Sequence, residues 1–150
     1  MVIHNLNIIQ YNMAMAELHL KIVTPEKLIL DEEVSQVNVS TEEGEIGILP
    51  HHANLMAKLT PGELVIKRGG KVDSMAIGDG FLQVADNTLT IMTDLATLAQ
   101  DIDERAVEEA RKRAEQALSQ TLSDEEYAET LANLEKSLAQ LRVKRRHRVR

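Results

Sequence analysis

Two adjacent histidines, His51 and His52, lie between Glu45 and Asn54 in the stretch EGEIGILPHHANL, which also carries two glycines and a proline. Imidazole and carboxylate together are the material of a metal site or of general acid–base catalysis. The spacing assembles neither. Neighbouring residues on a strand point to opposite faces, so both histidines reach one ion only from a loop. No third ligand follows at a helical interval, as it does in H-E-x-x-H. No serine sits in a G-x-S-x-G elbow, and neither a P-loop nor a G-x-G-x-x-G fingerprint is present. Gly78-Asp79-Gly80 stands between two strand-like runs rather than ahead of a helix, which makes it a turn. No catalytic, cofactor-binding or metal-ligating residue is therefore assigned. Gly44, Gly47 and Pro50 fit turns and a bulge. Glu45, His52 and Asn54 remain as polar groups on a surface loop, where contacts outnumber chemistry.

A second concentration of reactive charge closes the chain. RVKRRHRVR, residues 142–150, holds six Lys or Arg and no acid, whereas positions 1–141 carry eleven basic against 24 acidic residues, a net −13. Two readings stand side by side. The run is a solvated, frayed terminus whose cations suit the C-terminal end of a helix dipole, or it is an electrostatic arm for an acidic partner or anionic lipid.

Composition narrows the partners. The 150 residues suffice for one domain with an appendage. They are 43% hydrophobic but only 2% aromatic, so the core must be built from Val, Ile, Leu, Met and Ala. Scarce rings leave bases nothing to stack on, and a net charge of −7 repels phosphates; no nucleic-acid partner is expected. The absence of cysteine removes disulfides, zinc–thiolate sites and thiol nucleophiles together. No apolar run approaches the roughly 20 residues that span a bilayer. The opening MVIHNLNIIQYN has neither the basic n-region nor the apolar h-region of a signal peptide, and residues 1–15 read as a disordered N-terminal extension.

Two segments must position these groups. Over residues 16–100, Leu18, Leu20 and Ile22 alternate with polar neighbours, as do Val37 and Val39. Turn signals recur at Thr24-Pro25, Glu43-Gly44, Pro61-Gly62, Gly69-Gly70, Gly78–Gly80 and Asp86-Asn87. This pattern predicts an all-β sandwich. Over residues 101–150 the period becomes helical, with no Gly or Pro. Ile102, Ala106, Ala110, Ala114 and Ala117 mark one apolar face, and Tyr127, Leu131, Leu134, Leu138 and Leu141 mark another. Ser123 followed by Glu126 is a capping box that restarts the helix after a break at 119–122. The expectation is a C-terminal antiparallel two-helix hairpin. Its alanine-rich seam buries little area, so the hairpin either detaches readily from the sandwich or simply docks there.

LKIVTPE, GEIGILPHHANL, LTPGELVIKRGG, GDGFLQV, LTIMTD and DIDERA occur in this order, and together they resemble the epsilon-subunit family of rotary F-type ATP synthases, whose mitochondrial counterpart is called delta. The resemblance covers about residues 16–146. It implies a sandwich followed by a helical hairpin, and a non-catalytic subunit of the rotor's central stalk. The implied partners are the gamma subunit, the c ring and the alpha and beta subunits of the catalytic head. The family's ring-facing Glu and His correspond to Glu45 and His52. His51 stands where the family commonly has Gly, and Asn54 where it commonly has Pro.

In the family the hairpin can also open along gamma and inhibit ATP hydrolysis, which would give Lys144, Arg145, Arg146 and Arg148 an electrostatic grip on acidic segments of the head. Some members bind ATP through I/L-D-x-x-R-A; here Arg105 falls one position early, about 100° around a helix, so weak or no ATP binding is expected and no cofactor is assigned. The implied location is the cytoplasmic face of a bacterial plasma membrane, reached through the complex. A free-standing sandwich module with a dimerising hairpin is the alternative.

Overall fold

A computed structural model describes residues 16–149 of the chain; the extension expected over residues 1–15 lies outside them. Nine strands are followed by a single 3-10 turn and two helices. The strands are β1 (Leu18–Val23), β2 (Leu28–Val34), β3 (Gln36–Thr41), β4 (Gly44–Ile48), β5 (Leu55–Arg68), β6 (Lys71–Ile77), β7 (Gly80–Ala85), β8 (Thr88–Thr93) and β9 (Ala96–Leu98). The 3-10 turn spans Ala99–Asp101, helix α1 Glu104–Leu118 and helix α2 Asp124–Val149. A β-sandwich-like sheet followed by two contacting helices is thus the architecture the two periodicities predict.

The hydrogen-bonded order β2-β1-β8-β7-β5-β3-β4, with β6 joined to β5 and β9 to β6, turns on one long strand. The first half of β5, Leu55–Leu59, pairs with β7. Its second half, Gly62–Arg68, pairs with β6 and is flanked by β3. Pro61-Gly62 is therefore not a turn between strands but the bend at which one strand passes between the two layers. Proline has no N–H to contribute to a ladder, which suits a bend. Gly62 is buried there, and a β-carbon on it would lie 2.7 Å from Ser40 Oγ. The other turn signals hold. Asp86 (φ 50°) and Asn87 (φ 58°) form the two-residue β7–β8 connection, in the left-handed region that a tight hairpin requires.

Between the layers lie Leu18, Leu20 and Ile22 of β1, Val37 and Val39 of β3, Leu64 and Ile66 of β5, and Leu89 and Ile91 of β8, all fully buried. Every second residue contributes along these stretches, and among the described residues no aromatic ring does; Phe81 faces solvent. The core is aliphatic, as composition requires.

The hairpin departs from expectation in which residues it buries. Asp103 caps α1, accepting from the Ala106 N–H at 3.2 Å. Ala106 itself is exposed, and Val107 takes its place, packing with Ala76, Ala99, Ile102 and Val143. On α2 the buried residues are Ser137, Ala139, Leu141 and Val143, while Tyr127, Leu131 and Leu138 are exposed. A single stripe assumes a helix with one partner. The second half of α2 has two, α1 on one side and β5 and β6 on another, so small residues on two faces are enclosed and part of the leucine stripe stays outside. Between the helices a cavity of about 470 Å³ is lined by Ala110, Ala114, Arg113, Asn133 and Ser137. The capping box forms reciprocally: the Glu126 N–H donates to Ser123 Oγ at 3.2 Å, and the Ser123 N–H donates to Glu126 Oε2 at 3.1 Å.

Candidate functional site

The His51–His52 turn follows β4. His51 adopts φ 62°, the left-handed conformation that glycine takes most easily, so the turn is made with a histidine under strain rather than by a different backbone path. Asn87 holds it. The His51 N–H donates to Asn87 Oδ1 at 2.7 Å, and Asn87 Nδ2 donates to the Glu17 carbonyl at 2.8 Å, tying the turn to the entry of β1. The His52 ring is fixed by donation from Nδ1 to the Ala53 carbonyl at 2.7 Å. Asn87 is a supporting residue that sequence reasoning saw only as a turn former. Among the described residues no three His, Asp or Glu side chains stand where they would share a metal ion.

Glu45 lies at the opposite end of β4, paired with Ser40 of β3 and exposed. Three residues of extended strand, about 10 Å, separate it from Ile48, and the turn bearing His52 lies beyond. Glu45 lines the same groove as Glu63, Ser40 and Arg146 of α2. The structure thus brings Glu45 near the basic helix end and sets it apart from His52.

The basic run is helical through Val149 rather than frayed. Lys144 Nζ donates to the carbonyls of Ala99 (3.1 Å) and Gln100 (3.3 Å) in the 3-10 turn. Arg145 Nε is 3.6 Å from Glu104 Oε1, and Arg148 Nη1 is 3.1 Å from Glu104 Oε2. Arg146 Nη1 is 3.4 Å from Glu63 Oε2 on β5. Glu108, which faces Arg111 and Arg145, is held below the ordinary carboxylate pKa, chiefly by its hydrogen bond to Arg111. Arg105 stands apart: its side chain is 92% exposed and lies 3.7 Å from Glu109.

One surface was not anticipated. Strand register places Leu28, Val23, Met92, Phe81 and Lys58 in one row across β2, β1, β8, β7 and β5, each directly paired with the next. Directly paired residues share a face of the sheet. Leu28 and Phe81 are each 52% exposed and Met92 40%, so the row is an apolar strip open to solvent. The next row, Asp31, Lys21, Thr90 and Gln83, is polar until it reaches Met56. The outward phase of Phe81 could have been read from FLQV, in which Leu82 and Val84 point inward. The alignment of the row across four partners depends on register and could not.

The family described as ATP synthase, Delta/Epsilon chain, beta-sandwich domain matches residues 17–99, and its companion, the long alpha-helix domain, matches residues 100–145. The chain is 40% identical over 127 residues to an ATP synthase epsilon chain of Nitratidesulfovibrio vulgaris, covering 85% of this chain and 95% of that one. It is 39% identical over 133 residues to one from Chloroflexus aggregans, covering 89% and 96%. Among solved structures it is similar to a chain of the Euglena gracilis mitochondrial ATP synthase, with a TM-score of 0.70 and 30% identity over 83% of this chain and 79% of that one.

Proposed function

The chain belongs to the ATP synthase delta/epsilon family, and we propose that it is the non-catalytic epsilon subunit of the central stalk, coupling rotation of the c ring through gamma to ATP synthesis in the catalytic head. The observation that carries this reading, beyond family membership, is the apolar strip Leu28–Val23–Met92–Phe81. A row of half-exposed apolar side chains continuous across neighbouring strands is the kind of patch that marks an interaction surface. Gamma is the partner, and Lys58 and Lys21 at the strip's margin supply charges for its rim. Membrane attachment comes through the complex; no helix among the described residues is long and apolar enough to cross a bilayer.

Replacing Phe81 and Met92 with Asp tests the docking. Both side chains point away from the core, so the fold survives while the chain is lost from the solubilised complex. Full retention of the double variant would remove the strip from the interface. Glu45 and His52 serve as contacts to the polar loops of the ring, from opposite ends of β4.

The same hairpin inhibits hydrolysis when it opens along gamma, with Lys144, Arg145, Arg146 and Arg148 as its electrostatic grip on acidic segments of the head. Support comes from four cations gathered in the last two turns of one ordered helix. Neutralising all four is expected to raise ATP hydrolysis by the assembled enzyme. If hydrolysis stays as repressed as before, the run is only a helix end.

A further inference from the structure

All four cations of the proposed grip are occupied within the chain while the hairpin lies against the sandwich. Arg146 pairs at 3.4 Å with Glu63, whose side chain is only 12% exposed. Arg145 and Arg148 both converge on Glu104, at 3.6 and 3.1 Å, in the first turn of α1. Lys144 closes the carbonyl end of the 3-10 turn. Two turns earlier, Lys136 forms an ion pair with Asp94 beside β9. Val143 packs with Ala76, Ala99, Ile102 and Val107, and Ala139 and Leu141 are buried on the same helix. The apolar contact holds α2 against the sheet, and the ion pairs at its end add a bias that depends on charge.

We propose that Glu63 and Glu104 are a regulatory latch, holding the hairpin closed by occupying the cations that an acidic partner surface would otherwise take. Closure and grip are then exclusive uses of one set of side chains. The inference rests on the inhibitory reading above. Opening exchanges these intramolecular partners for intermolecular carboxylates, so a change in either set shifts the population. Partly exposed ion pairs are individually weak and screened by salt, which suits a switch that must release.

The latch separates two sets of substitutions by sign. Removing the cations abolishes both the latch and the grip. Removing Glu63 and Glu104 weakens only the latch, leaving Arg145 its pair with Glu108 at 3.6 Å, so the hairpin opens more often with its grip intact and inhibition deepens.

The chain contains no cysteine, so cysteines introduced at Lys71, the first residue of β6, and Glu129 on α2 carry a dye pair without competing thiols. In the full-length chain at low salt, Glu63→Gln with Glu104→Gln is expected to raise the open-to-closed ratio on the order of fivefold. In the assembled synthase the same variant is expected to hydrolyse ATP more slowly than wild type. An unchanged dye distance distribution, with circular dichroism showing an intact fold, overturns the latch. A raised open ratio without deeper repression upholds the latch and overturns the inhibitory reading instead. Should the double variant lose its fold, a charge swap decides. Glu63→Arg alone should open the hairpin, and adding Arg146→Glu should close it again; failure of the swap to restore closure overturns the latch.

Discussion

His51 places a β-carbon in a region of backbone space that costs an L-residue roughly 1–2 kcal/mol, and its φ of 62° is fixed by the turn and by Asn87. Glycine would relieve that strain while adding freedom to the unfolded chain. His51→Gly is accordingly expected to stabilise the isolated chain by about 0.5–1 kcal/mol in urea titrations; destabilisation would mean that the imidazole makes a contact worth more than the strain. His19 poses a different test. Its Nδ1 is 2.5 Å from Glu33 Oε1 and its Nε2 is 2.5 Å from Asp31 Oδ1, on the edge pair β1–β2. The hydrogen bond to Glu33 foremost, then that to Asp31, raises its pKa above 6.5 against the opposing effect of desolvation. A group whose folded pKa is raised contributes stability below its unfolded pKa and loses it as pH climbs through the folded value. Wild type should therefore exceed His19→Gln in stability at about pH 5.5, with the difference fading at about pH 9. An equal difference at both values would show that protonation of His19 plays no part. Arg105 is exposed and lies beside Glu109, and it falls one position early for the I/L-D-x-x-R-A pattern that the resemblance implies for ATP-binding members. Titrating the isolated chain with ATP should give weak binding or none; tight binding abolished by Arg105→Ala would contradict this.

At the scale of elements, the capping box is the most local test. Ser123 and Glu126 satisfy each other's backbone N–H groups at the start of α2, so Ser123→Ala should lower helix stability by about 1 kcal/mol, visible as an earlier loss of helical circular dichroism. An unchanged melt would mean that packing alone holds the turn. That box was legible in the sequence because its partners lie three residues apart. So were β1, β3, β7 and β8, whose inward residues alternate, and the Asp86-Asn87 hairpin. Other features were not legible, for a common reason. Pro61-Gly62 reads as a turn because the pattern cannot tell a chain reversal from a bend within one strand that serves two layers. The leucine stripe of α2 reads as buried because the sequence does not disclose that Ser137, Ala139 and Val143 meet two neighbours. The strip of Leu28, Val23, Met92 and Phe81 draws on four strands and spans residues 23–92 of the chain, and only their register aligns it. Glu45 and His52 stood out as residue types, but the length of strand between them emerged only with β4 in place.

For the whole molecule, an acidic body carries a basic helix end folded onto it, which fits the proposed role of a non-catalytic subunit that acts through contacts. The apolar strip, the His51–His52 turn and the groove shared by Glu45 and the last turns of α2 are distinct surfaces, which fits the proposed place of the chain in the middle of a stalk. The most direct test of that role is a tagged pull-down of this chain from gently solubilised native membranes, with the retained subunits identified by mass. Co-recovery of gamma, alpha, beta and c-ring subunits is expected, with recovery persisting when the chain is truncated after residue 100 because the sandwich carries the docking strip. Recovery of this chain alone, or bound only to itself, would contradict its place in the stalk.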